Sequence, residues 1–362
     1  MNPIQTLQTL GESVWLDFIS RSLLTGGELK RLIDKGVTGV TSNPSIFQKS
    51  ICETGDYDAA IKAVQQSSPR IDVQGLYEKL AVEDIRMAAD ILRLVYDSSK
   101  GTDGFVSLEV SPRLSAMTEK TISEAQRLWK LVDRPNLMIK VPATPEGIPA
   151  VETLIAQGVN VNATLIFSLA QYESVALAYI RGLEKNPNPA KVASVASFFV
   201  SRIDTVVDKA LDKSAKPSAL ELRGKAAVAS AKMVYRRFNE IFYDAPFGKQ
   251  RGRGGRVQKI VWGSTGTKNL QYSDVLYVDE IIGPDIINTI PMPTLNAFLD
   301  HGRVRPSLME NVAEAEKDLQ DLKKFNIDMQ AVTGQLLKDG VQAFVQAYDQ
   351  MLDSLKGRCI IQ

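Results

Sequence analysis

Along this chain, short apolar runs alternate with longer stretches in which apolar residues return every three or four positions. The runs are "SVWLDFIS" (13–20), "GVTGVTSN" (36–43), "GFVSLEVS" (104–111), "NLMIKVPA" (136–143), "GVNVNATLIFS" (158–168), "KVASVASFFVS" (191–201), "KIVWGST" (259–265) and "DIINTIP" (285–291). Runs of this length bounded by turn residues read as strands, and three-to-four spacing reads as helix. The clearest helical stretch, "GLYEKLAVEDIRMAADILRLVYDSS", places Leu76, Leu80, Ile85, Ala88, Leu92 and Val95 on one stripe. Eight strands alternating with helices in 362 residues predict an α/β fold, a (β/α)8 TIM barrel. A doubly wound open sheet is the alternative, but no GxGxxG turn follows the first strand. Past Pro306 the alternation stops. "SLMENVAEAEKDLQDLKKF" and "DMQAVTGQLLKDGVQAFVQAYDQMLDSLKG" are helical with no strand between them. They predict a C-terminal helical extension, about 307–362, folded over the barrel so that 1–362 forms one domain.

Alternate residues of a barrel strand point inward, and barrel sites gather at the C-terminal strand ends. Applied to each run, that rule selects Asp17, Thr41 and Asn43, Glu109, Lys140, Asn162 and Thr164, Ser197, and Thr265. Each has a plain structural alternative. Asp17 could be an acceptor for backbone, Asn43 before Pro44 a turn or helix-capping residue, and Ser197 a backbone partner. Seven successive strands with a polar residue near the same end are harder to explain that way. A barrel interior favours Val, Ile and Leu, and buried polar groups are unfavourable unless paired.

Composition narrows the chemistry. His301 is the single histidine, and Cys52 and Cys359 are the only cysteines. A His-rich zinc site or a CxxC knuckle is therefore excluded, and a disulfide framework is not expected. The chain carries a formal net charge of +1, which offers no global field for nucleic acid or an anionic membrane. No secretory signal is expected near its start, and no apolar run approaches the ~18 residues of a membrane span. A reducing cytoplasm is the expected compartment. Lysine and carboxylates are left to do the chemistry.

Lys140 stands out because it interrupts the apolar strand "LMIKV" just before the Pro/Gly-rich turn "PATPEGIPA". Burial disfavours an ammonium, and a neutral amine facing a carbonyl forms a Schiff base, an electron sink for C–C cleavage. Asp17 and Glu109 are the inward carboxylates available for proton transfer. Cations follow the late strands, where barrels often hold phosphate: Arg202 after strand 6 and Lys268 in "WGSTGTKN". The basic run "GKQRGRGGR" (248–256) reads first as a solvated loop. Nucleic-acid binding or a contribution to a phosphate field are its other readings.

These residues resemble the transaldolases in their longer bacterial form. "GVTGVTSNPSIF" (36–47) and "LMIKVPATPEGIPAV" (137–151) are similar to the two signatures of that family, and "WLDFISR", "VSLEVSP", "NVNATLIFS", "SVASFFVSRID" and "WGSTGTKN" to further blocks in the same order. The resemblance spans roughly residues 10–300. It implies a Schiff base on Lys140, with Asp17 handling the proton of C–C cleavage and Glu109 and Thr164 positioning the water of imine formation. It further implies Asn43, Asn162 and Ser197 on substrate hydroxyls, and Arg202 on phosphate. Many relatives carry Arg in the strand 7 loop, where Lys268 would stand in here, beside Thr265. An apolar Phe199 near Ser197 would keep water from the intermediate. The implied reaction moves dihydroxyacetone from sedoheptulose 7-phosphate to glyceraldehyde 3-phosphate, with no cofactor and no metal. The partners implied are small sugar phosphates acting on a monomer or homodimer, without nucleic acid or membrane. A fructose 6-phosphate aldolase-type lyase is the alternative.

Overall fold

Each of the eight apolar runs overlaps a strand: β1 (Glu12–Leu16), β2 (Val37–Val40), β3 (Val106–Glu109), β4 (Leu137–Pro142), β5 (Val161–Ile166), β6 (Ser194–Phe199), β7 (Lys259–Gly263) and β8 (Ile286–Ile290). A computed structural model describes residues 1–214, 216–244 and 247–360 of the chain. All neighbouring strands are parallel, and β1 pairs with β8 from Glu12↔Ile286 to Leu16↔Ile290, closing the barrel β1 to β8 in order. This is the expected (β/α)8 architecture.

Two apolar layers follow from the alternation along each strand. Residues pointing outward join a large core with the surrounding helices; Leu76, Leu80, Ile85, Ala88 and Leu92 of the predicted stripe are all buried in it. A smaller cluster contains Trp15, Met138, Val195, Val261 and Ile287. Two residues further along each of those strands, on the same face, come Asp17, Lys140, Ser197, Gly263 and Thr289. The barrel is therefore plugged below by apolar side chains and polar above. A plug under the polar layer restricts water to the C-terminal mouth.

Past residue 306 the chain forms the helix Val312–Asp321, packed against Ala226–Phe242, and the long helix Met329–Ile360. The latter packs against the helices Pro44–Cys52 and Ser201–Ser214 and against β5, so it crosses the C-terminal face. The basic run is largely exposed, in keeping with its first reading as a solvated loop, but its arginines also bind backbone. Arg253 donates to the carbonyls of Leu183 (3.0 Å) and Asn186 (2.7 Å), closing the end of the helix Leu169–Lys185. Arg251 donates to Phe242 O, and Arg256 to Gly101 O and Lys100 O. These arginines satisfy orphan carbonyls. His301 is exposed and bonded to Asp274 and Asp300 at the surface. No described helix is long and apolar enough to cross a membrane.

Candidate active site

The turn after β4 explains why Lys140 sits where it does. Gly147 opens the helix Gly147–Ala156 so close to the strand that a Cβ there would meet Pro142 O at 1.9 Å, and its N–H donates to Thr144 Oγ1 (2.9 Å). Only glycine fits that approach. β4 is thereby held with Lys140 facing inward, 4% exposed, its Nζ 3.2 Å from Ser42 O and 3.9 Å from Glu109 Oε2. Glu109 and Asn162 are its register partners on the two flanking strands.

Above this lysine lies a cavity of about 110 Å³, lined by Asp17, Thr41, Asn43, Lys140, Ser197, Phe199, Arg202 and others. Asp17 follows β1 directly. Its Oδ1 accepts from Thr41 Oγ1 at 2.8 Å, and Thr41 Oγ1 lies 2.6 Å from Thr289 Oγ1. Because Thr41 spends its one proton on Asp17, Thr289 is the donor to Thr41, and the chain of hydroxyls fixes the carboxylate. Burial raises the Asp17 pKa above the usual carboxylate range, against the pull of Lys140, Thr41 and Arg202. Asn43 does cap the helix Pro44–Cys52, its Oδ1 accepting from Ile46 N at 3.0 Å, yet it also lines the cavity. The structural and functional readings of Asn43 are compatible, because the amide nitrogen remains available to a ligand.

Glu109 sits deeper. Burial lifts its pKa to about 7, with Lys140 opposing. Both of its carboxylate oxygens and the Thr164 hydroxyl are buried without a hydrogen-bond partner among the described residues. Orphan polar atoms of this kind are unfavourable unless a ligand or water meets them. Asn162 is fully buried; it donates to Ser107 Oγ (3.1 Å) and accepts from Ser197 Oγ (2.7 Å), so it reaches the cavity through Ser197.

Phe199 faces the cavity beside Ser197. Its ring packs on Phe167 with centroids 5.3 Å apart, and the Arg202 guanidinium lies 5.4 Å from its centroid. Burial lowers the Arg202 pKa while Asp17 partly restores it. Lys268 is an exposed residue at the rim, but burial around its ammonium and the nearby Arg202 charge bring its pKa down to about 8. Neither cation forms an ion pair among the described residues, and two adjacent cations favour an anion between them. Thr265 departs from expectation. β7 ends at Gly263, and the buried Thr265 hydroxyl donates to Thr289 O (3.2 Å), away from the cavity lining. It braces β8.

A lysine flanked by two carboxylates at the mouth of a closed barrel is the arrangement that the strand-end residues predicted. A family model described as Transaldolase/Fructose-6-phosphate aldolase matches residues 14–355. The chain belongs to the transaldolase/fructose-6-phosphate aldolase family. Among its relatives in that family, a protein named Transaldolase from Thiobacillus denitrificans is 45% identical over 357 residues, covering 97% of this chain and 99% of the relative. Another named Transaldolase, from Mycolicibacterium smegmatis, is 43% identical over 364 residues, with 99% and 98% covered. A third of that name, from Trichodesmium erythraeum, is 42% identical over 370 residues, with 98% and 97% covered.

Sequence reasoning missed five residues that line the cavity: Ser45, Gly263, Ser264, Thr289 and Phe344. Thr289 carried the same signal as the others, because it lies two residues beyond Ile287 on β8. Ser264, held at φ 55° just past β7, had no such signal. Phe344 comes from the C-terminal helix, far along the chain.

Proposed function

We propose that this protein is a transaldolase, moving a dihydroxyacetone unit from sedoheptulose 7-phosphate to glyceraldehyde 3-phosphate through a Schiff base on Lys140 to give erythrose 4-phosphate and fructose 6-phosphate. The observation that carries this reading is the buried Lys140 amine, 3.9 Å from Glu109 and sharing a cavity with Asp17 and Arg202. Lys140 Nζ adds to the substrate ketone, and the carbinolamine loses water to form the imine. Glu109, with a pKa of about 7, exchanges a proton with the departing hydroxyl, and Thr164 helps hold that water. Asp17 then takes the proton of the hydroxyl on the far carbon of the scissile bond, the carbon that becomes the aldehyde. The electron pair of that bond flows into the iminium, and the aldehyde leaves. The acceptor aldehyde reverses these steps.

Ser197, Asn43 and, through Ser197, Asn162 hold hydroxyls of the three-carbon unit. Arg202 and Lys268 hold phosphate. No cofactor takes part in this sequence. The scarcity of cysteine fits a reducing cytoplasm.

The family also includes lyases that release dihydroxyacetone, and full-length likeness to proteins named Transaldolase favours transfer. Incubation with fructose 6-phosphate and borohydride, followed by peptide mapping, tests the reading. The adduct is expected on the peptide holding Lys140 and is expected to vanish in Lys140→Met. An adduct on another lysine would overturn the mechanism.

A further inference from the structure

Phe344 belongs to the helix Met329–Ile360, yet it is 3% exposed and lines the same cavity as Lys140, Asp17 and Phe199. One turn earlier on the same helix face, Gly340 packs directly on β5 and the residue beyond it. A Cβ at Gly340 would lie 3.1 Å from Leu165 Cδ2 and 3.5 Å from Phe167 Cε2. Leu165 follows Thr164 and has φ 59°, a strained value for leucine, where the pairing of β5 with β6 slips. Phe167 in turn packs on Phe199. One turn beyond Phe344 the helix is fastened elsewhere: Tyr348 meets Tyr77 of the helix Val73–Ser98 edge-on at 5.6 Å, and Asp349 pairs with Arg113, in the turn Pro112–Leu114 after β3, at 2.6 Å. The helix is thus seated across the mouth, with Phe344 set into the cavity.

Building on the transferase reading, we propose that Phe344 is a specificity-determining residue: from the C-terminal helix it walls the Lys140-bound three-carbon nucleophile off from water and so favours transfer over release. After the aldehyde leaves, the enamine on Lys140 has two fates. Its carbon can attack the acceptor carbonyl, and the new alkoxide takes the proton from Asp17. Alternatively the carbon takes a proton, water adds to the resulting imine, and dihydroxyacetone leaves with the lysine amine regenerated. Both routes end with water hydrolysing an imine, but only the second first needs a proton on the enamine carbon, which a water held beside it delivers. A phenyl ring has neither donor nor acceptor with which to orient that water, and Phe344 takes up part of the cavity wall.

The test compares wild type with Phe344→Ala and Phe344→Leu. It measures dihydroxyacetone released from fructose 6-phosphate without acceptor against transfer to erythrose 4-phosphate. Phe344→Ala is expected to raise the ratio of release to transfer on the order of 10-fold, below the roughly 10²–10⁴-fold effect of a fully positioned proton-transfer group. Phe344→Leu, which keeps an apolar wall, is expected to restore a ratio near wild type. If the alanine variant unfolds, Phe344→Tyr carries the test, because it keeps the ring and adds a hydroxyl that can hold water. A ratio within twofold of wild type in the folded variant overturns the proposal. Borohydride trapping separates the two readings: an adduct on wild-type Lys140 with an unchanged ratio refutes only the role of Phe344. Absence of the wild-type adduct removes the transferase reading and this proposal with it.

Discussion

Glu109→Gln should make the protein more stable and less active, and the two effects share one cause. The Glu109 side chain is 3% exposed, and burial lifts its pKa from the ordinary 4.5 to about 7. That rise corresponds to about 3 kcal/mol favouring the protonated form in the folded chain, with the opposing pull of Lys140 already included. The folded state therefore binds this proton more tightly than the unfolded state. Its contribution is fully present below pH 4.5 and is lost as pH rises through about 7. Glutamine is neutral at every pH and close in shape, so it escapes that loss. In urea unfolding, the stability of Glu109→Gln relative to wild type should climb by about 3 kcal/mol between pH 4.5 and 7 and then level off. Imine formation, followed by single-turnover borohydride trapping, should slow over the same range because the amide cannot exchange a proton. A stability difference that stays flat with pH would show that Glu109 titrates normally, and the argument for its role would fall with it. A group kept at an energetic disadvantage in a cavity is a mark of function.

Asp17→Asn should leave the Lys140 adduct trappable while slowing C–C cleavage on the order of 10²–10⁴-fold; a near-normal turnover would return Asp17 to a structural role. Arg202→Ala should weaken phosphorylated substrates by roughly 1.5–3 kcal/mol, seen mainly in KM. Equal losses on unphosphorylated donors would show that Arg202 acts elsewhere. Phe199→Tyr should raise dihydroxyacetone release relative to transfer, since its hydroxyl would enter the cavity beside Ser197, and an unchanged ratio would refute its guarding role.

The barrel was legible in the sequence because its information is local. Each strand is a short apolar run, each helix a three-to-four repeat, and inward positions follow from a period of two. The same period marked Lys140, since an ammonium within "LMIKV" contradicts its neighbours. It marked Asp17, Glu109, Thr164 and Ser197 as well, because strand ends converge on one mouth whatever the loops do. Local pattern also misled. Thr265 lies two residues past the end of β7, and its hydroxyl serves the β8 backbone. The arginines at 251, 253 and 256 read as solvated charge, and Arg251 and Arg253 are exposed, but local pattern gave no sign of the carbonyls that the chain brings near them only on folding.

Phe344 marks the boundary between the two kinds of information. In "VQAFVQAYDQML" it is one apolar residue among several at helical spacing, and nothing in that spacing distinguishes the helix face that packs on the barrel from a residue entering the cavity. The decision comes from where the whole helix crosses the mouth. That crossing is set by Gly340 against Leu165, Tyr348 against Tyr77 and Asp349 against Arg113, each contact joining residues more than 150 positions apart. The sequence by itself determined which strand ends carry a lysine, carboxylates and hydroxyls. Tertiary packing decided which of them share a cavity and which ring enters it, because those contacts depend on the relative placement of whole elements and leave no periodicity in the chain.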